Sequence, residues 1–147
     1  ILYGSAGDDT YIYSRGDGHD TITGEPWAGN FSTYDTLKLQ SVAPAEVGLV
    51  RNGNDVTLII PQSSPGAGDA GSVLLKDSLD DIGNQGVDQV VFDDGTVWTQ
   101  ATLRQMLLAQ ATASTASSIY GFTANDVIVA GLGDRYLNGG YGADTYI

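Results

Sequence analysis

The sequence predicts a mostly β chain, with stacked half-coils at both ends, a β-rich segment with hairpins between them, and one short C-terminal helix. Three observations carry that expectation. A nine-residue phrase opens and closes the chain, GSAGDDTYI from Gly4 and GGYGADTYI from Gly139, with six of nine positions identical. Between the two, the repeat stops and strand-like alternation around Asn-Gly and Asp-Asp-Gly turns takes over. The acids are 16 Asp and 2 Glu against 6 Lys and Arg, a net charge of −12. Asp is a poor helix former that favours turns and hard-cation sites.

The same composition excludes several functions. So acidic a chain lacks the basic patches needed to bind nucleic acid or an anionic membrane. Without cysteine it has no disulfide framework, zinc thiolate or thiol nucleophile. No apolar run reaches membrane-spanning length, so no membrane insertion is expected, and residues 1–20 do not resemble a signal peptide. The chain starts and stops inside a repeat, so it is expected to be a fragment of a longer protein, with any targeting signal outside it.

The repeats are expected to form two blocks, residues 1–35 and 119–147. Ile1-Leu2-Tyr3 fits the last three positions of a preceding unit. GSAGDDTYI then supplies Asp9 at position six and Tyr11 at position eight. After a two-residue insertion, RGDGHDTIT supplies Asp20 and Ile22, and Asp35-Thr36-Leu37 repeats the phrase without its glycines. From Gly121, GFTANDVIV, AGLGDRYLN and GGYGADTYI run in register, with Asp126, Arg135 and Asp144 at position six. Glycines at positions one, two and four allow positive φ and close approach to a ligand. Six turn residues and three extended residues, with one inward apolar side chain, make half a flat coil. Two units complete a coil of 18 residues, so turns alternate edges and unit n faces unit n+2. Asp126 therefore faces Asp144, Arg135 lies on the other edge, and Asp9 looks to Asp35 or to a unit before Ile1. Asp20 has no evident partner.

Residues 36–110 do not repeat. TLKL is a strand, and VGLVRNGNDVTLII alternates around Asn52-Gly53, a hairpin signal. PQSSPGAGDAG is a loop, SVLLK a strand, and DSLDDIGNQG a polar connection. VDQVVFDDGTVW is a second hairpin turning at Asp93-Asp94-Gly95. Thr99 can cap a helix with Leu103, Met106 and Leu107 on one face, and both that stripe and Trp98 read as core. ATASTASS, residues 111–118, is a low-complexity linker.

The repeat spells G-G-x-G-x-D-x-(apolar)-x, complete in GGYGADTYI and one glycine short in GSAGDDTYI. The chain thus resembles the RTX, or haemolysin-type calcium-binding, proteins. Residues 36–110 are similar to the haemolysin-type calcium-binding related segment that separates repeat blocks in secreted bacterial proteins. The PQSSPGAGDAG insertion and the Gly/Asn-rich connection before Val87 depart from it. The resemblance implies a parallel β-roll, a calcium-binding solenoid, with several Ca²⁺ ions between stacked turns. Position-six carboxylates would bind them at Asp9, Asp20, Asp35, Asp126 and Asp144. The turn positions Gly4, Gly7, Gly18, Gly121, Thr123, Gly139 and Gly142 would complete the sites. It further implies a structural module of a secreted, extracellular or cell-surface bacterial protein. The module would fold on extracellular Ca²⁺ and support export and stability of a larger parent through the type I secretion machinery. Arg135 would then weaken or remove a site on its edge, pairing with Asp134 or a neighbouring acid, or else point to solvent.

Catalysis has little footing in the sequence. His19 sits beside Asp20 in a turn with no nucleophile in a defined relation to it, and Asp80-Asp81 and Asp93-Asp94 are ordinary turn chemistry. The chain itself is expected not to be an enzyme. The competing class is a carbohydrate-binding or adhesin module in which Ca²⁺ is a strut. In that reading Trp27, set in a loop between Pro26 and Gly29, would stack on surface glycans with Tyr34.

Overall fold

The computed structural model describes residues 1–24, 33–82 and 86–147. It is mostly β with one α-helix. In chain order the strands are β1 (Thr10–Ser14), β2 (His19–Ile22), β3 (Thr36–Gln40), β4 (Gly48–Asn52), β5 (Asp55–Ile60), β6 (Gly71–Leu75), β7 (Gln89–Phe92) and β8 (Val97–Thr99). Helix α1 (Gln100–Ala113) follows, and then β9 (Ser118–Phe122), β10 (Val127–Ile128), β11 (Tyr136–Gly140) and β12 (Thr145–Tyr146).

The sheets are small and the two larger ones are mixed. One has the order β1-β3-β7-β8, parallel except for the last pair. The other has the order β2-β6-β5-β4, parallel only between β2 and β6. Leu2 adds a parallel bridge to Ile22. The path therefore alternates between the sheets, through Leu2, β1, β2, β3, β6 and β7. Apolar residues stack in register along it. Tyr11, Leu37 and Val90 form one row, and Leu2, Ile22 and Leu75 the other. Apart from Leu2 at the end, all of these are buried. Strands from residues 1–35 and from 36–110 thus share both sheets, and hydrogen bonds cross the boundary between the two blocks. The C-terminal residues make two further parallel pairs, β9 with β11 and β10 with β12, burying Ile119 and Ile128.

Burial of one apolar side chain supplies about 1.5–3 kcal/mol. Ordering a nine-residue half-coil costs on the order of 10 kcal/mol. The non-repeating segment makes up the difference with longer strands. Hairpin β4–β5 turns through Gly53 and Asn54, between the paired Asn52 and Asp55. Gly53 has φ +63° and stands first in the turn, the type II′ arrangement. Hairpin β7–β8 turns with Gly95 at φ +85°, its N–H donating to the Phe92 carbonyl at 3.0 Å. These hairpins bury Leu49, Leu58, Ile60 and Val90. Trp98 packs edge-on against Phe92, with ring centroids 4.6 Å apart.

The Thr99 hydroxyl accepts the Thr102 N–H at the N-terminus of α1. Leu103, Leu107 and Leu108 are buried, while Met106 is partly buried at the margin of the core. The helix runs on to Ala113, so of residues 111–118 the first three are helical, 114–117 are a short connection and Ser118 begins β9. Among the described residues, no helix is long and apolar enough to cross a membrane.

Candidate metal centre

Three repeat turns fold their position-six carboxylate back over position one. A Cβ on Gly4 would lie 2.0 Å from Asp9 Oδ2, one on Gly139 1.9 Å from Asp144 Oδ2, and one on Gly121 2.6 Å from Asp126 Oδ2. Position one is glycine because the carboxylate fills that space, and not for backbone freedom, since none of these three has positive φ. Positive φ falls at positions two and four, with Gly140 at +91°, Gly142 at +102°, Gly7 at +121° and Ser5 at +66°. GFTANDVIV carries Phe122 and Ala124 there with negative φ, so its turn differs. That turn is closed instead by the Phe122 N–H, which donates to Asp126 Oδ2 at 2.6 Å.

Successive turns on one edge are joined by a reciprocal pair of hydrogen bonds. The Asp126 N–H donates to Asp144 Oδ1 at 3.0 Å, and the Ala143 N–H donates to Asn125 Oδ1 at 2.7 Å. The N-terminal turns do the same. The Asp9 N–H donates to Asp35 Oδ1 at 2.9 Å, and the Tyr34 N–H to Asp8 Oδ1 at 2.8 Å. A third storey follows, the Asp35 N–H donating to Asp88 Oδ2 at 2.7 Å. The structure thus brings Asp126 to Asp144, one coil of 18 residues apart, and Asp9 to Asp35, 26 residues apart, and adds Asp88. Sequence reasoning missed Asp88, although Asp88-Gln89-Val90 is the same Asp-x-apolar phrase as Asp35-Thr36-Leu37.

The ladder concentrates negative charge in a half-dry place. Burial pushes the Asp88 carboxyl up to about 6; the Asp35 N–H opposes this, and the charges of Asp35 and Asp8 add to it. Burial also raises Asp126, with the Phe122 N–H opposing and the Asp144 charge reinforcing. Asp9 Oδ2 is buried with no hydrogen-bond partner. These are all-oxygen donors of the kind a hard cation takes, so their chemistry fits Ca²⁺. Among the described residues no three acidic or histidine side chains converge on one point. A cation would therefore draw much of its shell from main-chain carbonyls.

The other expected positions are engaged differently. Asp20 lies within β2 opposite Val73, away from the ladder. The Gly18 carbonyl already accepts the Tyr13 hydroxyl at 2.8 Å and the Ser72 N–H at 2.9 Å. The Thr123 hydroxyl donates to Asp80 Oδ1 and accepts the Asp81 N–H, each at 2.9 Å. A Cβ on Gly142 would lie 2.5 Å from the Ala124 carbonyl, which shows how closely the two turns stack. Gly7 leaves the space beside it open.

Arg135 neither pairs with an acid nor points to solvent. Its Nη1 donates to the carbonyls of Ala111 and Thr112 at 3.0 and 2.9 Å, and its Nη2 to that of Ser114. It caps the C-terminal end of α1, where carbonyls lack helical partners and a cation is favoured. His19 is exposed, with Nδ1 2.9 Å from the Ser72 hydroxyl across the strand pair. The adjacent acids diverge. Asp80 bonds Thr123 while Asp81 pairs with Arg104 at 3.4 Å, and Asp93 accepts the Ser41 N–H while Asp94 accepts that of Thr96. Tyr34 is half-exposed, whereas Trp27 lies outside the described residues.

Residues 66–102, from the loop before β6 into the first turn of α1, match the haemolysin-type calcium binding protein related domain. The match supports an RTX-like calcium-binding segment. No curated protein matches the chain.

Proposed function

We propose that this chain is a calcium-binding structural module of a secreted bacterial protein, and that its parallel strand pairs are coils of a β-roll. The observation that carries the reading is the three-storey carboxylate ladder of Asp9, Asp35 and Asp88, echoed by Asp126 and Asp144. With neighbouring turn carbonyls, these residues would hold Ca²⁺. Bound calcium supplies the positive charge that lets stacked carboxylates ionise side by side, so binding free energy becomes folding free energy. Without it, one buried apolar residue per half-coil is too little to offset chain entropy against like-charge repulsion. The turns at 4–9, 33–35 and 139–147 then loosen first, while the hairpin-bearing segment keeps its core.

Extracellular modules bind calcium at about 10⁻⁴–10⁻³ M, a range suited to folding outside the cell. The chain would then leave the cell unfolded through type I secretion as part of a larger parent, whose chemistry lies elsewhere. The residues of this chain are read as structural and not as catalytic.

Circular dichroism and thermal melting in chelator, followed by calcium titration, test this directly. Strand signal and melting temperature should fall in chelator and recover near millimolar calcium. Identical curves in both conditions would overturn the proposal.

A further inference from the structure

The four arginines each bridge segments distant in sequence, and two of them meet the C-terminal repeats. Arg51, in β4, donates from Nη1 to the Tyr120 carbonyl and from Nη2 to the Gly121 carbonyl, both at 2.7 Å. Its Nε donates to the Gly53 carbonyl at 3.0 Å, and its guanidinium lies 3.7 Å from the centroid of the Phe122 ring. Gly121 is position one of the first C-terminal unit. Arg135, at position six of the second unit, holds the three carbonyls at the end of α1. The turn around it is pressed onto that helix end. A Cβ on Gly131 would lie 3.1 Å from the Thr112 carbonyl, and the Thr112 hydroxyl donates to the Val129 carbonyl at 2.8 Å. Each edge of the first C-terminal coil, residues 121–138, is thus closed by a guanidinium on main-chain carbonyls.

We infer that Arg51 and Arg135 are resident cations that position the C-terminal repeats. Arg51 reaches from hairpin β4–β5 to carbonyls at the start of that coil and Arg135 reaches from the coil to carbonyls at the end of α1; together they anchor it without metal and confine its calcium requirement to the Asp126–Asp144 step. The anchoring rests on the guanidinium contacts alone, and the calcium half rests on the function proposed above. The forked, always-charged guanidinium suits the task, because it spans two carbonyls at once where an ammonium is a point charge. Asp126 bears on Arg51 as well. Burial lowers the Arg51 pKa and the Asp126 charge raises it again, so the anchor and the carboxylate support each other.

Hydrogen–deuterium exchange of the full chain in excess chelator tests the anchoring. Amides of β9 and β11 should stay protected in the wild type and exchange freely in Arg51→Met/Arg135→Met, with β5 and β6 protected in both. Arg135→Lys should weaken β11 protection about tenfold with β5 untouched. It serves as the deciding variant if the double substitution disturbs the whole fold. Free exchange of β9 and β11 in chelated wild type, or full protection in Arg135→Lys, would overturn the anchoring. Calcium should restore the double variant at a midpoint about tenfold above that of the wild type. If the chelator arm holds but calcium protects β12 in neither protein, the calcium reading falls and the anchors stand. If calcium acts at equal midpoints, the anchors do not set its requirement.

Discussion

At the scale of residues, the ladder is held by carboxylates that each receive the N–H of a stacked aspartate, Asp35 from Asp9, Asp88 from Asp35 and Asp144 from Asp126. Asp88 is half-buried, and burial pushes its carboxyl to about 6 from the usual 3.8. Its folded pKa lies above its unfolded one, so the native state keeps a proton that the unfolded chain has lost. In metal-free protein this contribution is full below pH 4 and disappears as pH rises through about 6. Melting in chelator across pH 4–7 should show that decline, and Asp88→Asn should flatten it; an unchanged slope in the variant would place the titration elsewhere. The pairs Asp126–Asp144 and Asp9–Asp35 were legible because position six recurs at one coil or follows an Asp-Thr-apolar phrase. Asp88 was not read, although Gly83 and Gly86 stand at positions one and four before it, because its turn lies beyond an inserted hairpin in a stretch that otherwise does not repeat.

Among the elements, the hairpins and the helix start follow local chemistry and are readable as such. Gly53 and Gly95 take positive φ where the turns demand it, and Thr99 caps α1. Thr99→Ala should cost about 1 kcal/mol, seen as a lower melting temperature with an unchanged spectrum. The helix end was harder to place. ATAS reads as low complexity, yet alanine is the best helix former, and the carbonyls of the last turn are satisfied by Arg135, 23 and 24 residues further on. A local reading cannot see a cap that arrives from another element.

For the whole molecule, the segment between the repeats is built into the stack of the N-terminal ones. β6 and β7 continue the rows begun by β2 and β3, while β5 and β8 turn the sheets antiparallel. With calcium bound, residues 1–110 should therefore melt as one unit. Leu58→Ala, at a fully buried position of β5, should lower stability by about 2–5 kcal/mol. It should shift the N-terminal turns and the hairpins together in a single transition. Separate transitions for residues 1–35 and 36–110 would contradict the shared sheets. The sequence showed the parts of this arrangement and hid their joining, because strand neighbours 26 and 53 residues apart leave no local trace.

The glycine beneath each folded carboxylate has a consequence for how such repeats vary. Where position six is Asp9, Asp126 or Asp144, position one is Gly4, Gly121 or Gly139, and where position six is Arg135, position one is Ala130. An arginine that reaches away to a helix vacates the space a methyl group needs, so in turns whose carboxylate folds back the two positions form a two-letter code; Asp20, drawn into β2, follows Arg15 and stands outside it. Arg135→Asp alone should be poorly tolerated, its carboxylate meeting the Ala130 methyl, and adding Ala130→Gly should recover about 0.5–3 kcal/mol in a double-mutant cycle. Strict additivity of the two changes would break the code.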